Sequence, residues 1–455
     1  MRLGVPSLKR AILALAVLLG LSLALVCCGG GSPTSTSTSG LKFRVFVSQD
    51  VQASVGVVTV SPALIIINAL TDAQTTFRIG GGLGGAFRPT MMVLSNNRQT
   101  TLAVSYSGTQ VEVVNNTAES VTTGSPINLP GATESVVISP DATLGFAAVP
   151  AAPISEGTQG QVPPGAVVVM NLSNQSVTAS VPVPGAQYVA ESGDGSKILV
   201  LSNNSNYLDT VTIMSPFNIV SGQENSTCPA NVCTTVSGFD RPVFAFFSSD
   251  NSQAWILNCG AECGGQQASV QVLDLATRTA GAKVTVDAAT VGFIQNQTMY
   301  VAGTPPAPGN SCTGVTTAAP TCGRLNVVDL PSMTVTNRLV IADGYHTHMD
   351  MGGGQLFIGS KQCFNILPPT PPTTGEQRGC LTIVDTLPSP VTQVDVVFPP
   401  DNGDVTGMTP ITNRTVFYVV EGGELRIYDT NTDKIYVSTS IDIFGNAVDV
   451  KQVDF

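Results

Sequence analysis

From about residue 41 onward the chain alternates apolar and polar residues in short runs, each closed by Gly, Pro, Asn, Asp or Ser. Period-two alternation sends successive side chains to opposite faces of a strand, so the pattern predicts many short strands joined by turns. No stretch carries the 3.6-residue apolar stripe of an amphipathic helix. One run recurs: ALIIINALTDA, VEVVNNTAE, VVVMNLSNQ, VQVLDLATRT, LNVVDLPSMT, LTIVDTLPSP and LRIYDTNTDK, with a degenerate copy in TVTIMSPFN. Its closing polar residues are Asn68, Asn115, Asn171, Ser215, Asp274, Asp329, Asp385 and Asp429, spaced by about 44 to 59 residues. That is the spacing of propeller blades. The Asp or Asn is suited to capping the following turn through backbone N–H groups.

Three further strand-like runs surround each copy. A short apolar run precedes it (RVFVS, TLAVS, ILVLS, AWILN, MYVAG, LFIGS, VFYVV), and before that comes a run closed by a turn, such as ESVVISPDAT or PVFAFFSSDNS. A strand such as SVTASVPVPG follows it. Four strands per repeat make one blade, and the chain is expected to be all-β, a single β-propeller over residues 41–455. Seven blades are complete between about Phe87 and Val448. Leu41 to Gly80 supplies only three strands, and the terminal AVDVKQVDF reads as the missing first one. Pairing the two ends gives eight blades and leaves no open sheet edge. The competing count is seven, with one stretch miscounted around the long first-blade loop Asp50 to Pro62.

Composition agrees with this architecture. Charged residues are only 11% of the 455, hydrophobic residues 43%, and there are 45 Gly and 30 Pro. The formal net charge of −11 excludes the basic footprint of a nucleic-acid binder. Three basic residues sit at the start, where Arg2, Lys9 and Arg10 precede an uncharged Leu/Ala-rich run from Ala11 to Val26. That run is short for a membrane span and suits a signal-peptide core. It ends in Cys27 and Cys28 and passes into a Gly/Ser/Thr-rich stretch, which resembles a bacterial lipoprotein signal with a lipidated cysteine and a flexible tether. Residues 1–27 are therefore read as signal and 28–40 as tether. Val26 before the cysteines departs from the small residues usual there, and plain secretion or an uncleaved anchor are the other readings. All three export the chain, to the periplasm, the outer membrane or the cell surface, with membrane contact only through the anchor.

The remaining cysteines fall into neighbouring pairs: Cys228 and Cys233, Cys259 and Cys263, Cys312 and Cys322, Cys363 and Cys380. In an oxidising compartment these read as disulfides. A thiolate zinc site is the alternative, but the spacings do not repeat as metal motifs do.

The SPDA turn at Ser139 to Ala142 and the VxVxDxxT third strand resemble the YVTN-type repeat propellers, common among exported bacterial proteins. The resemblance spans Leu41 to Phe455. It implies the fold and supplies no shared catalytic set, because the repeated residues are structural.

Candidate chemistry lies in the loops that link one blade to the next around the central channel. Both histidines of the chain, His346 and His348, occupy one such loop with Asp343 and Asp350; the next carries Asp401 and Asp404, and an earlier one Asp240 and Arg241. His-x-His beside carboxylates is a divalent-metal pattern, since in an extended segment both imidazoles face one side. The bland reading is one hydrogen-bonding and one solvated imidazole, with a solvated acidic rim. Glu134 and Glu191 are candidates for a glycosidase pair. There is no GxSxG elbow, Walker loop or CxxCH haem site, and GGGLGG at Gly80 to Gly85 reads as a blade connection. Quinone-dependent dehydrogenases use eight-bladed propellers with repeated Trp motifs, whereas this chain has only Trp255. The function expected is a non-catalytic binding or scaffold module with no cofactor, whose partner is an envelope protein, peptide or polysaccharide. The alternative is a metal-dependent hydrolase or lyase at the His-bearing channel mouth.

Overall fold

A computed structural model describes residues 38–454 except 52, 56–57, 81–86, 123, 125, 154–163, 205–207, 220–227, 307–321, 364–377, 387–393, 398–403, 433, 436–439 and 444. The signal and tether, with Cys27 and Cys28, lie outside the described residues, as do Cys312, Asp401 and most of the GGGLGG connection. Ser39–Phe455 forms one compact unit.

That unit is an all-β propeller of eight antiparallel sheets. From the channel outward, blade 1 runs Pro89–Leu94, Thr100–Ser105 and Gln110–Asn115, its fourth position shared by Ser120–Val121 and Ile127–Asn128. Blade 2 is Ser135–Ile138, Leu144–Val149, Ala166–Asn171 and Ser176–Pro182, and blade 3 is Ala186–Glu191, Ile198–Asn204, Leu208–Met214 and Cys233–Ser237. Blade 4 is Pro242–Phe247, Gln253–Asn258, Ser269–Asp274 and Thr279–Thr285, and blade 5 is Val291–Gln295, Thr298–Gly303, Gly323–Asp329 and Thr334–Ile341. Blade 6 is Tyr345–Gly352, Gln355–Cys363, Arg378–Asp385 and Val394–Val397, and blade 7 is Val405–Pro410, Val416–Glu421, Glu424–Asp429 and Lys434–Ile435.

Blade 8 joins the two ends of the chain. Ala447–Gln452 is its inner strand and pairs with Arg44–Gln49, Val45 lying opposite Gln452 and Val47 opposite Val450; Ala63–Asn68 and Ala73–Ile79 complete the sheet. The inner strands touch in sequence around the ring, and that of blade 8 meets both blade 7 and blade 1. Eight blades, not seven, close the ring. Part of the stretch between Asp50 and Pro62 forms a small hairpin, Ala53–Val55 with Val58–Val60, rather than an irregular loop.

The alternation in sequence is what packs the ring. In blade 8, Val45, Val47, Ile65 and Ile67 face blade 7 and pack with Val416, Tyr418, Val420 and Ile427. The intervening Phe46, Leu64 and Ile66 face the other way and pack with Met92, Ala103 and Val114 of blade 1. Each of these side chains is buried, and each of the Val, Leu, Ile, Phe and Met side chains contributes roughly 1.5–3 kcal/mol. A one-residue slip would exchange the two sets between neighbours, so both faces fix the register.

Turn chemistry recurs as expected. Asn68, Asn115, Asn171, Asp274, Asp329 and Asp429 each accept backbone N–H bonds from residues two or three positions on, as from Thr277 to Asp274 at 2.7 Å. A second signature closes the first hairpin of blades 2 to 4. Ser139, Ser192 and Ser248 donate to Asp141, Asp194 and Asp250 two residues later, and each accepts the N–H five residues on. The hydroxyl and carboxylate thus stand in for backbone groups, in the manner of Asx and ST turns. These bonds hold the Asp194 and Asp250 carboxylates at about 2.

Candidate functional site

Strand direction decides which loops share a face. Inner strands all run one way, so the blade-to-blade loops and the loops joining second to third strands emerge at the same end. On that face lie two disulfides in second-to-third-strand loops, Cys259–Cys263 of blade 4 and Cys363–Cys380 of blade 6. Cys322 of blade 5, also disulfide-bonded, belongs to the equivalent loop. Cys228–Cys233 leads instead into the outer strand of blade 3, on the opposite face. These disulfides fit an exported protein.

Several inner strands begin with a bulge. In blades 3, 4, 6 and 7 one residue is extruded between Ala186 and Tyr188, Pro242 and Phe244, His346 and His348, and Val405 and Gly407. Bulges re-aim the side chains that follow them. The position before the bulge is buried in all four blades; it is filled by Ala186, Pro242 and Val405, and in blade 6 by His346, which is 1% exposed. His346 Nε2 lies 3.1 Å from the Ala342 carbonyl, and its Nδ1 is buried with no hydrogen-bond partner. Burial lowers its pKa to about 4. His348 follows the bulge, is half-buried, and meets the Thr347 hydroxyl at 2.8 Å. Burial and the charges of Lys451 and Lys361 lower it to about 3. The bulge at Thr347 interrupts the alternation that was expected to set both imidazoles on one side. Among the described residues no three His, Cys, Asp or Glu side chains converge as a metal set.

The acidic candidates are distributed. Asp240 accepts N–H bonds from Gln266 and Gln267, the shorter at 2.6 Å, and so folds the Cys259–Cys263 loop back onto the blade. Buried Arg241 pairs with Asp209 of blade 3 at 3.1 Å. Asp404 accepts the Gln362 N–H at 3.0 Å, joining blades 6 and 7. Asp343 is buried beside the Cys363–Cys380 disulfide, its carbonyl 3.2 Å from Cys363 Sγ. Asp350 lies further along the inner strand of blade 6, raised by burial and opposed by Lys451 and Arg98. Glu134 and Glu191 do not form a pair. Ser135 Oγ accepts the Val189 N–H at 2.9 Å, so Glu191 sits three residues further down the channel than Glu134. At about 3.3 Å per residue that is roughly 10 Å along the strands alone, beyond glycosidase spacing.

What converges at the mouth is a different set. Tyr188 of blade 3 and Tyr345 of blade 6 come within hydrogen-bonding reach of each other, and both feel the charge of Glu134. Tyr345 also feels Glu262. Tyr345 is 47% exposed, and Phe244, which follows the bulge in blade 4 as Tyr188 does in blade 3, is 41% exposed. Phe244 is backed by Phe246 at 4.9 Å between ring centroids. Glu262 sits inside the Cys259–Cys263 loop and accepts the Thr304 N–H at 2.8 Å, while the Thr304 hydroxyl donates to the Gly344 carbonyl at 2.8 Å. Gly344 has φ +92°, and a Cβ there would meet Lys361 O and Cys363 Sγ, so glycine is required where the chain turns over the disulfide. Two disulfides thus anchor the loops that present Glu262 and Tyr345. Neither tyrosine stood out in the sequence: Tyr345 lies in the loop of the more conspicuous histidines, and Tyr188 in a blade-to-blade stretch whose residues carry no charge before Glu191.

Burial raises Glu262 to about 8. A carboxyl whose folded pKa exceeds its unfolded value stabilises fully below about 4.5, and that stabilisation fades as pH rises toward 8. Glu262→Gln, measured by urea unfolding at pH 5 and pH 8, is expected to gain stability relative to wild type at the higher pH. The relative gain is about 2 kcal/mol after allowance for partial solvent exposure.

Among solved structures the chain is similar to the dihydro-haem d1 dehydrogenase NirN in complex with DHE, at 11% identity, a TM-score of 0.61, and coverage of 93% of this chain and 78% of that one. It is also similar to hydrazine synthase from Kuenenia stuttgartiensis, at 13% identity, a TM-score of 0.53, and coverage of 78% and 99%. At these identities the likeness establishes the propeller fold alone. No protein-family profile and no curated protein matches the sequence.

Proposed function

We propose that this chain is an exported propeller of the YVTN-repeat type, anchored by lipid at Cys27 or Cys28, that serves the cell envelope as a non-catalytic binding module. The partner is a protein or peptide, or a polysaccharide, engaged on the face that carries the blade-to-blade loops. The supporting observation is the pair of exposed aromatic residues Tyr345 and Phe244 at the channel mouth, beside loops anchored by disulfides. Rigidly held aromatic side chains supply contact area at low entropic cost, as recognition surfaces require. The acidic, low-charge composition is that of a surface that excludes polyanions rather than gathering them.

Affinity capture from the cell envelope with the full chain is expected to recover a discrete partner, and Tyr345→Ala is expected to weaken that recovery at least tenfold. Stoichiometric metal on the purified chain, lost in His346→Ala and His348→Ala variants, would replace this reading with the metal-dependent enzyme.

A further inference from the structure

Four features of the mouth point one way. Its aromatic residues are exposed at Tyr345 and Phe244, with partly buried Tyr188 within hydrogen-bonding reach of Tyr345. The charges that act on its two phenols are the carboxylates Glu134 and Glu262, while Lys361 is the cross-strand partner of Tyr345. Neither carboxylate has a lysine or arginine within ion-pair distance among the described residues, in contrast to Asp209, Asp72, Glu119 and Asp454, each paired with an arginine. The supports are fixed: Glu262 through Thr304, Tyr345 through Gly344 and the disulfide beneath it. Aromatic faces with nearby uncompensated carboxylates form an environment complementary to a soft cation, attracted by the ring quadrupoles and neutralised by the acids.

We infer that the mouth formed by Glu134, Tyr188, Phe244, Glu262 and Tyr345 is a recognition site for an alkylammonium group. The inference deepens the binding-module reading by naming the chemistry of the ligand, and rests on it only for the source. Under that reading the group is a lysine side chain of the partner; a free quaternary amine offers the same chemistry. The cation enters beside Tyr345, takes Glu262 as counter-ion, and displaces the contact between the two phenols. Half-buried Glu262, with no cation beside it, is raised by burial to about 8, so pairing with a bound ammonium releases a proton at neutral pH.

The test is calorimetric titration of the purified full chain with three probes: choline, a lysine-containing peptide amide, and 3,3-dimethylbutanol, the neutral isostere of choline. Expected are binding of at least one cation, no binding of the isostere, and loss of at least tenfold in affinity for both Tyr345→Ala and Glu262→Gln. Phe217→Ala, at a 79% exposed phenylalanine on the opposite face, leaves affinity unchanged and controls for folding. Binding of the peptide but not choline assigns the group to a partner's lysine, and the reverse to a small amine. Equal binding of the isostere, no binding of either cation, or full affinity in folded Tyr345→Ala overturns the inference. If capture succeeds while both cations fail, the module reading stands without this chemistry; if a cation binds but no partner is captured, the reverse holds.

Discussion

Deleting Asp449–Phe455 opens the ring: the truncated chain is expected to lose its cooperative unfolding transition or melt far below wild type. The terminal strand is more than one blade's inner strand. Asp449 accepts the Met92 N–H of blade 1 at 2.8 Å, and the Gln452 side chain accepts the Thr412 N–H of blade 7, also at 2.8 Å. The Gln452 carbonyl accepts from Arg98 at 2.7 Å. Arg44 binds Asp454 through Nε at 2.7 Å and Glu119 of blade 1 through Nη1 at 2.9 Å. Without the strand, Arg44–Gln49 becomes a bare edge, and the apolar faces of blades 7 and 1 that packed on it meet water. A milder version isolates one link. Arg44→Ala leaves Glu119 buried without its cation, a loss of about 3–5 kcal/mol that denaturant titration will report. Unchanged stability in the truncated chain would mean that the ring is not closed this way.

Phe417→Ala is expected to destabilise the protein by about 3–5 kcal/mol, the cost of a large cavity in a packed core. Phe417 of blade 7 stacks on Phe357 of blade 6 at 3.9 Å between centroids, and both are fully buried. Gly352 makes room for that stack, since a Cβ there would lie 2.8 Å from the Phe417 ring. Phe417→Leu keeps part of the volume and is expected to lose less. Chemical denaturation of both variants checks the order.

These two expectations rest on parts of the molecule that the sequence made legible. Alternation in each strand reports two buried faces, as Val45 and Phe46 show by packing toward different blades. Repeat spacing and a C-terminal strand without local partners were enough to predict how the ends join. The mouth was less legible for a physical reason. Tyr188 and Tyr345 are far apart in sequence and approach only because the inner strands of blades 3 and 6 line the same channel. The bulge at Thr347 cannot be seen in the letters HTH, yet it separates the fates of His346 and His348. The place of His346 belongs to residues such as Ala186 and Pro242 in other blades, so its rarity in the chain drew attention to a buried position. Asp240 and Arg241 stood out as charges in a loop, and the structure engages both within the loop framework.

The central claim is that the face carrying the blade-to-blade loops, at its channel mouth, is where this ring meets its partner. The direct measurement places a photo-crosslinking residue at Gln187, beside Tyr188 at the mouth, and in a second protein at Phe217 on the opposite face, each expressed in its own cell envelope. The account expects a discrete crosslinked species from Gln187 and none from Phe217. Crosslinking from Phe217 alone, or none from Gln187, would contradict it.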